Sequence, residues 1–285
     1  RAEWRMRGEA PSQHDFDHVY TRQLYAGFGH KQFGELTYGN MVTITDEVTQ
    51  SDLANTYSLT DGLLETSARR VAQYVYNGDY GSNKVKFGAY YGGSSKRNIK
   101  NVDLKNNRKN TWGTGLIFDH EIDSIQNVTV AAGFTREISE NADKTAYYSN
   151  AYALGLAYNF VHTTYGLDLA HKDTKNKDGA GNKVKNNEVT AVIRQGLNED
   201  WNVYAMYSYK TEKMLPVGSA YSKSTDRQFL VGTEYYVYNQ GSLKVKPFIE
   251  WQATRTKYEN TFDDAGKQLD RSRDFKTVIG LRAYW

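Results

Sequence analysis

Five carboxylates, Asp46, Glu47, Asp52, Asp61 and Glu65, fall within the 26-residue stretch MVTITDEVTQSDLANTYSLTDGLLET (41–66), which contains no Lys or Arg. Acids without local counter-ions attract cations, or they face a basic surface elsewhere and set up a field across the gap. Arginines that can supply such a surface are Arg5 and Arg7 in RAEWRMRG (1–8), Arg22 in TRQLYAGFG (21–29) and Arg69 in SARRVAQYVYN (67–77). Bond-breaking chemistry finds less support. The six histidines are His14, His18, His30, His120, His162 and His171. His14 and His18 would share a helical face and bind a metal, but PSQHDFDH reads as loop. His162 and His171 have no acid at a telling spacing. There is no G-x-S-x-G, H-E-x-x-H or P-loop. The absence of Cys removes thiol nucleophiles, disulfides and Cys-based zinc sites. These residues point to no catalytic site, no metal and no cofactor.

The elements that must hold those charges are strands. Fourteen segments of about 9–15 residues alternate apolar and polar side chains, the period of a β-strand: 1–8, 18–28, 33–40, 67–77, 84–92, 111–120, 127–136, 146–160, 163–174, 187–196, 201–211, 226–239, 242–256 and 272–285. No helix-period segment of comparable length is present. The connections alternate strictly between short turns and long polar loops, the latter at 9–17, 41–66, 93–110, 137–145, 175–186, 212–225 and 257–271. Short turns at one end and long loops at the other is the pattern of an outer-membrane barrel, whose strands show lipid and lumen alternately. No stretch approaches the 18 or so apolar residues of a membrane-spanning helix, a test blind to such barrels. The 23 Tyr, 5 Trp and 11 Phe, against only 3 Pro, fit aromatic girdles and uninterrupted ladders. The expectation is a single all-β domain, a transmembrane antiparallel β-barrel spanning 1–285. Within it, 41–66 exceeds the length usual for a structureless loop, which makes it functional or disordered. No signal-peptide pattern is present, so an exported protein is expected here in mature form or without its start.

Four stretches carry a family resemblance. TRQLYAGFG (21–29) resembles the T-R-x-x-[FY]-A-G strand of the general diffusion porins of Gram-negative bacteria. FGELTYGN (33–40) resembles the strand that in those porins leads into the inward-folded constriction loop. EWRM (3–6) is similar to the strand before them. TVIGLRAYW (277–285), ending on an aromatic residue, resembles the closing strand of the major porins of Haemophilus and other Pasteurellaceae. The resemblance implies a 16-stranded porin-type barrel of the bacterial outer membrane, with about 14 strands in this chain and the two preceding Arg1 missing or absent. It also implies a homotrimer that conducts small hydrophilic solutes, with 41–66 folded into the lumen.

On that reading Trp4, Met6, Tyr25, Leu36 and Tyr38 face lipid, while Arg5, Arg7, Arg22, Glu35 and Thr37 face the lumen. The assignment leaves Gln23 pointing outward and Leu24 inward. Arg or Lys on the lipid face at mid-bilayer costs about 2–4 kcal/mol, which independently turns the charged set inward. Arg5, Arg7, Arg22 and Arg69 then form the basic side of a constriction, and Glu35, Asp46, Glu47, Asp52, Asp61 and Glu65 the acidic side. A family arginine farther along 67–77 aligns with Val75. Lys84, Lys86, Lys244 and Lys246 also face the lumen and motivate a second reading, a channel selective for anionic sugars or similar solutes; a barrel acting mainly as adhesin or enzyme is a third. The basic loops 94–110 and 175–186 lack interleaved aromatic residues, so they suit lipopolysaccharide phosphates rather than nucleic acid.

Overall fold

The computed structural model describes residues 1–7, 18–60, 62–94, 106–141, 146–176, 181–262 and 266–284, without the side chains of 4–7, 18–21, 106, 107 and 141. Alternating sequence becomes antiparallel strand. The first five are β1 (Ala2–Arg7), β2 (His18–His30), β3 (Gly34–Val42), β4 (Ser67–Tyr80) and β5 (Asn83–Gly92). Then come β6 (Asn106–Asp123), β7 (Gln126–Asn141), β8 (Ala146–Phe160), β9 (Thr163–Asn176) and β10 (Lys183–Gly196). The chain continues through β11 (Trp201–Leu215), β12 (Ser222–Tyr235), β13 (Tyr238–Gln240), β14 (Leu243–Glu259) and β15 (Arg271–Tyr284). They form one sheet in which the long strands pair in chain order. The three-residue β13 carries on from β12 and pairs with the start of β14, so the expected segment 226–239 is two pieces. All fourteen expected strands are present in order. Among the described residues β1 and β15 are not hydrogen-bonded to each other.

The two faces of the sheet differ. One exposes large apolar side chains such as Phe28, Leu36, Tyr38, Phe87, Trp112, Leu116, Tyr152 and Ile249. Their rings contact across strands, with Trp112 and Tyr152 each 5.0 Å from Phe134 and Trp251 lying 6.5 Å from Phe229 and 6.1 Å from Phe275. So large an apolar surface on a folded chain marks contact with lipid or another chain. The other face is small or polar along β5 to β9 and carries most of the buried charge.

β2 departs from the expected alternation. Gln23 and Tyr25 face inward, Gln23 buried and Tyr25 packed on the inner core, whereas Leu24 is 56% exposed on the outer face. The cause is a β-bulge. Glu3 pairs with Gln23 and Trp4 with Thr21, leaving Arg22 as the extra residue. Residues on either side of a bulge lose a common parity, so the outward assignment of Tyr25 fails and the awkward Gln23–Leu24 pair resolves.

The apolar core lies on the inner face, formed between the wall and residues 44–64. Ile44, Val48 and Leu64 pack with Met41, Val71, Ile117 and Ala131, and Leu59 packs with Val192, Tyr204, Met206 and Leu230. Each such Leu, Ile or Val contributes roughly 1.5–3 kcal/mol by burial. The same contacts show that the sheet is curled. Ile44 sits over β5 and β6, and Asn55 touches β14 and β15. Nine strand steps at ~4.8 Å need about 43 Å if flat. The chain from 44 to 55 reaches about 32 Å, because residues 44–48 form a compact 3-10 turn. The wall therefore wraps around the segment.

Candidate functional site

The acidic segment leaves β3 through a pinched base. Thr43 N donates to Thr66 O at 2.8 Å, and the hydroxyls of Thr45 and Tyr90 donate to Glu65 O at 2.7 and 3.0 Å. Ile44 N donates to Gln73 Oε1 of β4 at 2.7 Å. The 3-10 turn Ile44–Val48 buries Ile44 and Val48 and leaves Asp46 and Glu47 exposed. A row of glycines makes room for it. A Cβ on Gly115 would lie 3.0 Å from Ile44, one on Gly133 2.9 Å from Val48, and one on Gly155 2.0 Å from the Val48 carbonyl oxygen.

Beyond the turn, buried carboxylates of the wall take hold of the loop backbone. Asp168 of β9 accepts from Gln50 N and Ser51 N, each at 2.8 Å, and from the Ser51 hydroxyl. Glu250 of β14 accepts from Asn55 N, from Thr56 N at 3.0 Å, from Tyr57 N at 2.9 Å and from the Tyr204 hydroxyl at 2.7 Å. Glu234 of β12 accepts from Asn55 Nδ2 at 2.8 Å and is paired with Lys246 at 2.5 Å and with Arg194. Arg282 of β15 donates to Asn55 O. Asn55 Nδ2 also donates to the Tyr204 hydroxyl of β11 at 2.9 Å, so the amide, carboxamide and carbonyl of this one residue reach four strands. Buried backbone donors need acceptors, and a buried carboxylate needs several donors or a counter-ion; here each answers the other.

The expected site residues divide. Arg22 reaches the inner face through its bulge, donates Nη1 to Glu3 Oε1 at 2.6 Å, and lies close enough to Asp46 to favour its ionised form. Glu47 pairs with Lys86, and Glu65 with Lys172 at 3.5 Å. Asp46, Asp52 and Glu35 are exposed and form no ion pair among the described residues. Among the described residues Arg69 forms no ion pair with the acids. Together with Arg70, at φ 55°, it occupies a second bulge opposite Asn40, where Gly39 pairs with Val71 and Met41 with Ala68. That bulge breaks the alternation on which the inward placement of Arg69 rested. Asp61 and the side chains of Arg5 and Arg7 lie outside the described residues. Burial raises the Asp46 carboxyl above its usual value even though its tip meets water, with the Thr66 hydroxyl and Arg22 pulling part-way back.

A family model for the Gram-negative porins matches residues 1–246. This chain is a Gram-negative porin. It is a passive channel of the bacterial outer membrane. The major outer membrane protein of Pasteurella multocida strain Pm70 is 22% identical to it over 294 residues, covering 98% of this chain and 75% of that protein. Among solved structures, in-vitro folded OmpT of Vibrio cholerae superposes with a TM-score of 0.65 at 16% identity, covering 94% of this chain and 81% of that one. An anion-selective porin from Comamonas acidovorans gives 0.64 at 15% identity, covering 96% and 80%.

The residues of this porin that sequence reading missed are the anchors Asp168, Arg194, Glu234, Glu250 and Arg282. Each stands at an inward strand position, so alternation alone marks it as lumen-side. That Asp168 and Glu250 would meet main-chain amides instead of water leaves no trace in the sequence.

Proposed function

We propose that 41–66 is the constriction loop of this porin, and that Asp46, Glu47 and Asp52 oppose Arg22 across the narrowest passage for small hydrophilic solutes and ions. The supporting observation is the loop's anchorage: its backbone is held by Asp168 and Glu250 on the far wall while Asp46 stays exposed and Glu47, also exposed, pairs with Lys86 of β5. Opposed charges in a narrow passage make a transverse field that orients dipolar solutes and sets ion preference. The role is transport without bond-breaking chemistry. A trimer form of OmpT from Vibrio cholerae, a structural neighbour, supports assembly as a homotrimer, and lipopolysaccharide is the expected lipid partner on the loop side. A channel selective for anionic solutes has less support, since Lys86 is tied to Glu47 and Lys246 to Glu234.

Planar-bilayer recording tests the reading. Purified folded protein should give open channels, and the reversal potential in a salt gradient should move toward cations in Arg22→Ala. Removing one unit charge about 8 Å from the ion path in water shifts cation and anion by about 0.5 kcal/mol in opposite senses, so the permeability ratio should change roughly sixfold. A closed wild type, or an unmoved reversal potential in the variant, refutes the assignment.

The raised Asp46 pKa gives a pH signature. As pH falls, Asp46 is neutralised at a higher pH than an ordinary aspartate, the lumen loses a negative charge, and cation preference declines. Asp46→Asn should show the low-pH selectivity already at neutral pH and lose that titration step. The check is reversal potential recorded between pH 7 and pH 4.

A further inference from the structure

The outer face of β12, β14 and β15 carries a row of charge that the pore does not use. Arg227 lies opposite Arg255, and Arg255 opposite Arg273, in unbroken ladders. Opposed residues of an antiparallel pair are about 5 Å apart, so three arginines stand side by side on three adjacent strands. All are exposed and share the alternation face of Phe229, Trp251 and Phe275. One step farther toward the long loops, Lys257 lies opposite Arg271.

Like charges directly opposite each other destabilise a sheet, and the row is not offset from within. Among the described residues, Arg227, Arg255 and Arg273 form no ion pair. The nearby acids are engaged or face elsewhere: Glu259 is held by Lys223 at 4.0 Å and Lys257 at 3.7 Å, and Asp270 by Arg271 at 3.7 Å. Asp226 and Asp274 alternate to the inner face, where Asp274 meets Lys276 at 3.0 Å.

Position suggests what neutralises the row. Phe229 and Phe275 stand one alternation step, about 7 Å, on the turn side of it, and with Trp251 they make an aromatic belt. In outer-membrane barrels the long loops face outward and aromatic girdles mark the edge of the hydrocarbon. The arginines therefore meet the headgroup level of the outer leaflet, which is built of lipopolysaccharide with a phosphorylated lipid anchor. Guanidinium binds phosphate through paired hydrogen bonds.

We propose that Arg227, Arg255 and Arg273 form a binding site for the phosphates of the lipopolysaccharide anchor, with Lys257 and Arg271 extending it outward. The proposal rests on the outer-membrane orientation and not on the constriction. Protein refolded in detergent without lipopolysaccharide, then titrated with the purified lipid and followed by native mass spectrometry, tests it. Wild type should bind the intact lipid at least tenfold more tightly than its dephosphorylated form. The triple variant Arg227→Gln, Arg255→Gln, Arg273→Gln should lose at least tenfold in affinity while its single-channel conductance stays unchanged. Equal binding of phosphorylated and dephosphorylated lipid by wild type overturns the site without recourse to any variant. So does a folded variant that binds as wild type does. A variant that keeps the lipid but no longer assembles would make the row a contact between copies, and overturns the proposal as well.

Discussion

Glu250→Ala should release the tip of the segment 41–66 and, on the proposed role of that segment, give a larger, noisier single-channel conductance. The Glu250 carboxylate is fully buried and serves the main-chain amides of Asn55, Thr56 and Tyr57 together with the Tyr204 hydroxyl. Each buried donor left without an acceptor costs about 1–3 kcal/mol. At the low end, four orphaned donors amount to ~4 kcal/mol, and hydration of the released tip removes that cost. Hydrogen exchange at Asn55–Tyr57 should accelerate roughly a thousandfold. The strand ladders should survive, since the Glu250 carboxylate bonds to the loop and to Tyr204. Glu250→Gln, which keeps an acceptor oxygen, should fall between. Unchanged conductance and unchanged protection in Glu250→Ala would remove the anchor from the account.

Gly155→Val should displace the middle of the same loop by crowding. A Cβ there would stand 2.0 Å from the Val48 carbonyl oxygen and 2.9 Å from Asp168 Oδ1. Backbone cannot yield as a flexible side chain does. Overpacking of this kind costs about 1–3 kcal/mol, and the displaced loop also loses the bonds of Gln50 and Ser51 to Asp168. Proteolysis of the folded protein within residues 49–52 should increase, with a rise in conductance. Gly93→Ala is the control, because a Cβ there meets Arg70 at an ordinary 3.7 Å. If the two variants behave alike, the glycine row is not a cradle for the loop.

The strands were legible because their alternation is local, and each of the fourteen is found in its expected place. Parity across a bulge was not. Arg22 and Tyr25 are expected on opposite faces, yet Tyr25 packs on the inner core, because nothing local in TRQLYAGFG marks the extra residue. The second bulge, at Arg69 and Arg70, defeated the same rule on β4. Apolar inner-wall residues such as Val71, Met206 and Leu230 mislead similarly, since the lumen is dry wherever the loop covers it. The anchors lay beyond reach for another reason. Asn55 and Glu250 are 195 residues apart, and neither carries a local sign of the other.

That separation also orders assembly. Contacts between residues distant along the chain form only after the intervening chain is in place, since closing so long a loop costs entropy before any contact repays it. The amide of Asn55 needs Glu250 on β14, and its carbonyl needs Arg282 on β15, 227 residues away. Anchorage of the inner segment is thus a late event of folding: an intermediate short of its last strands has a wall but nothing to fix Asn55 against it.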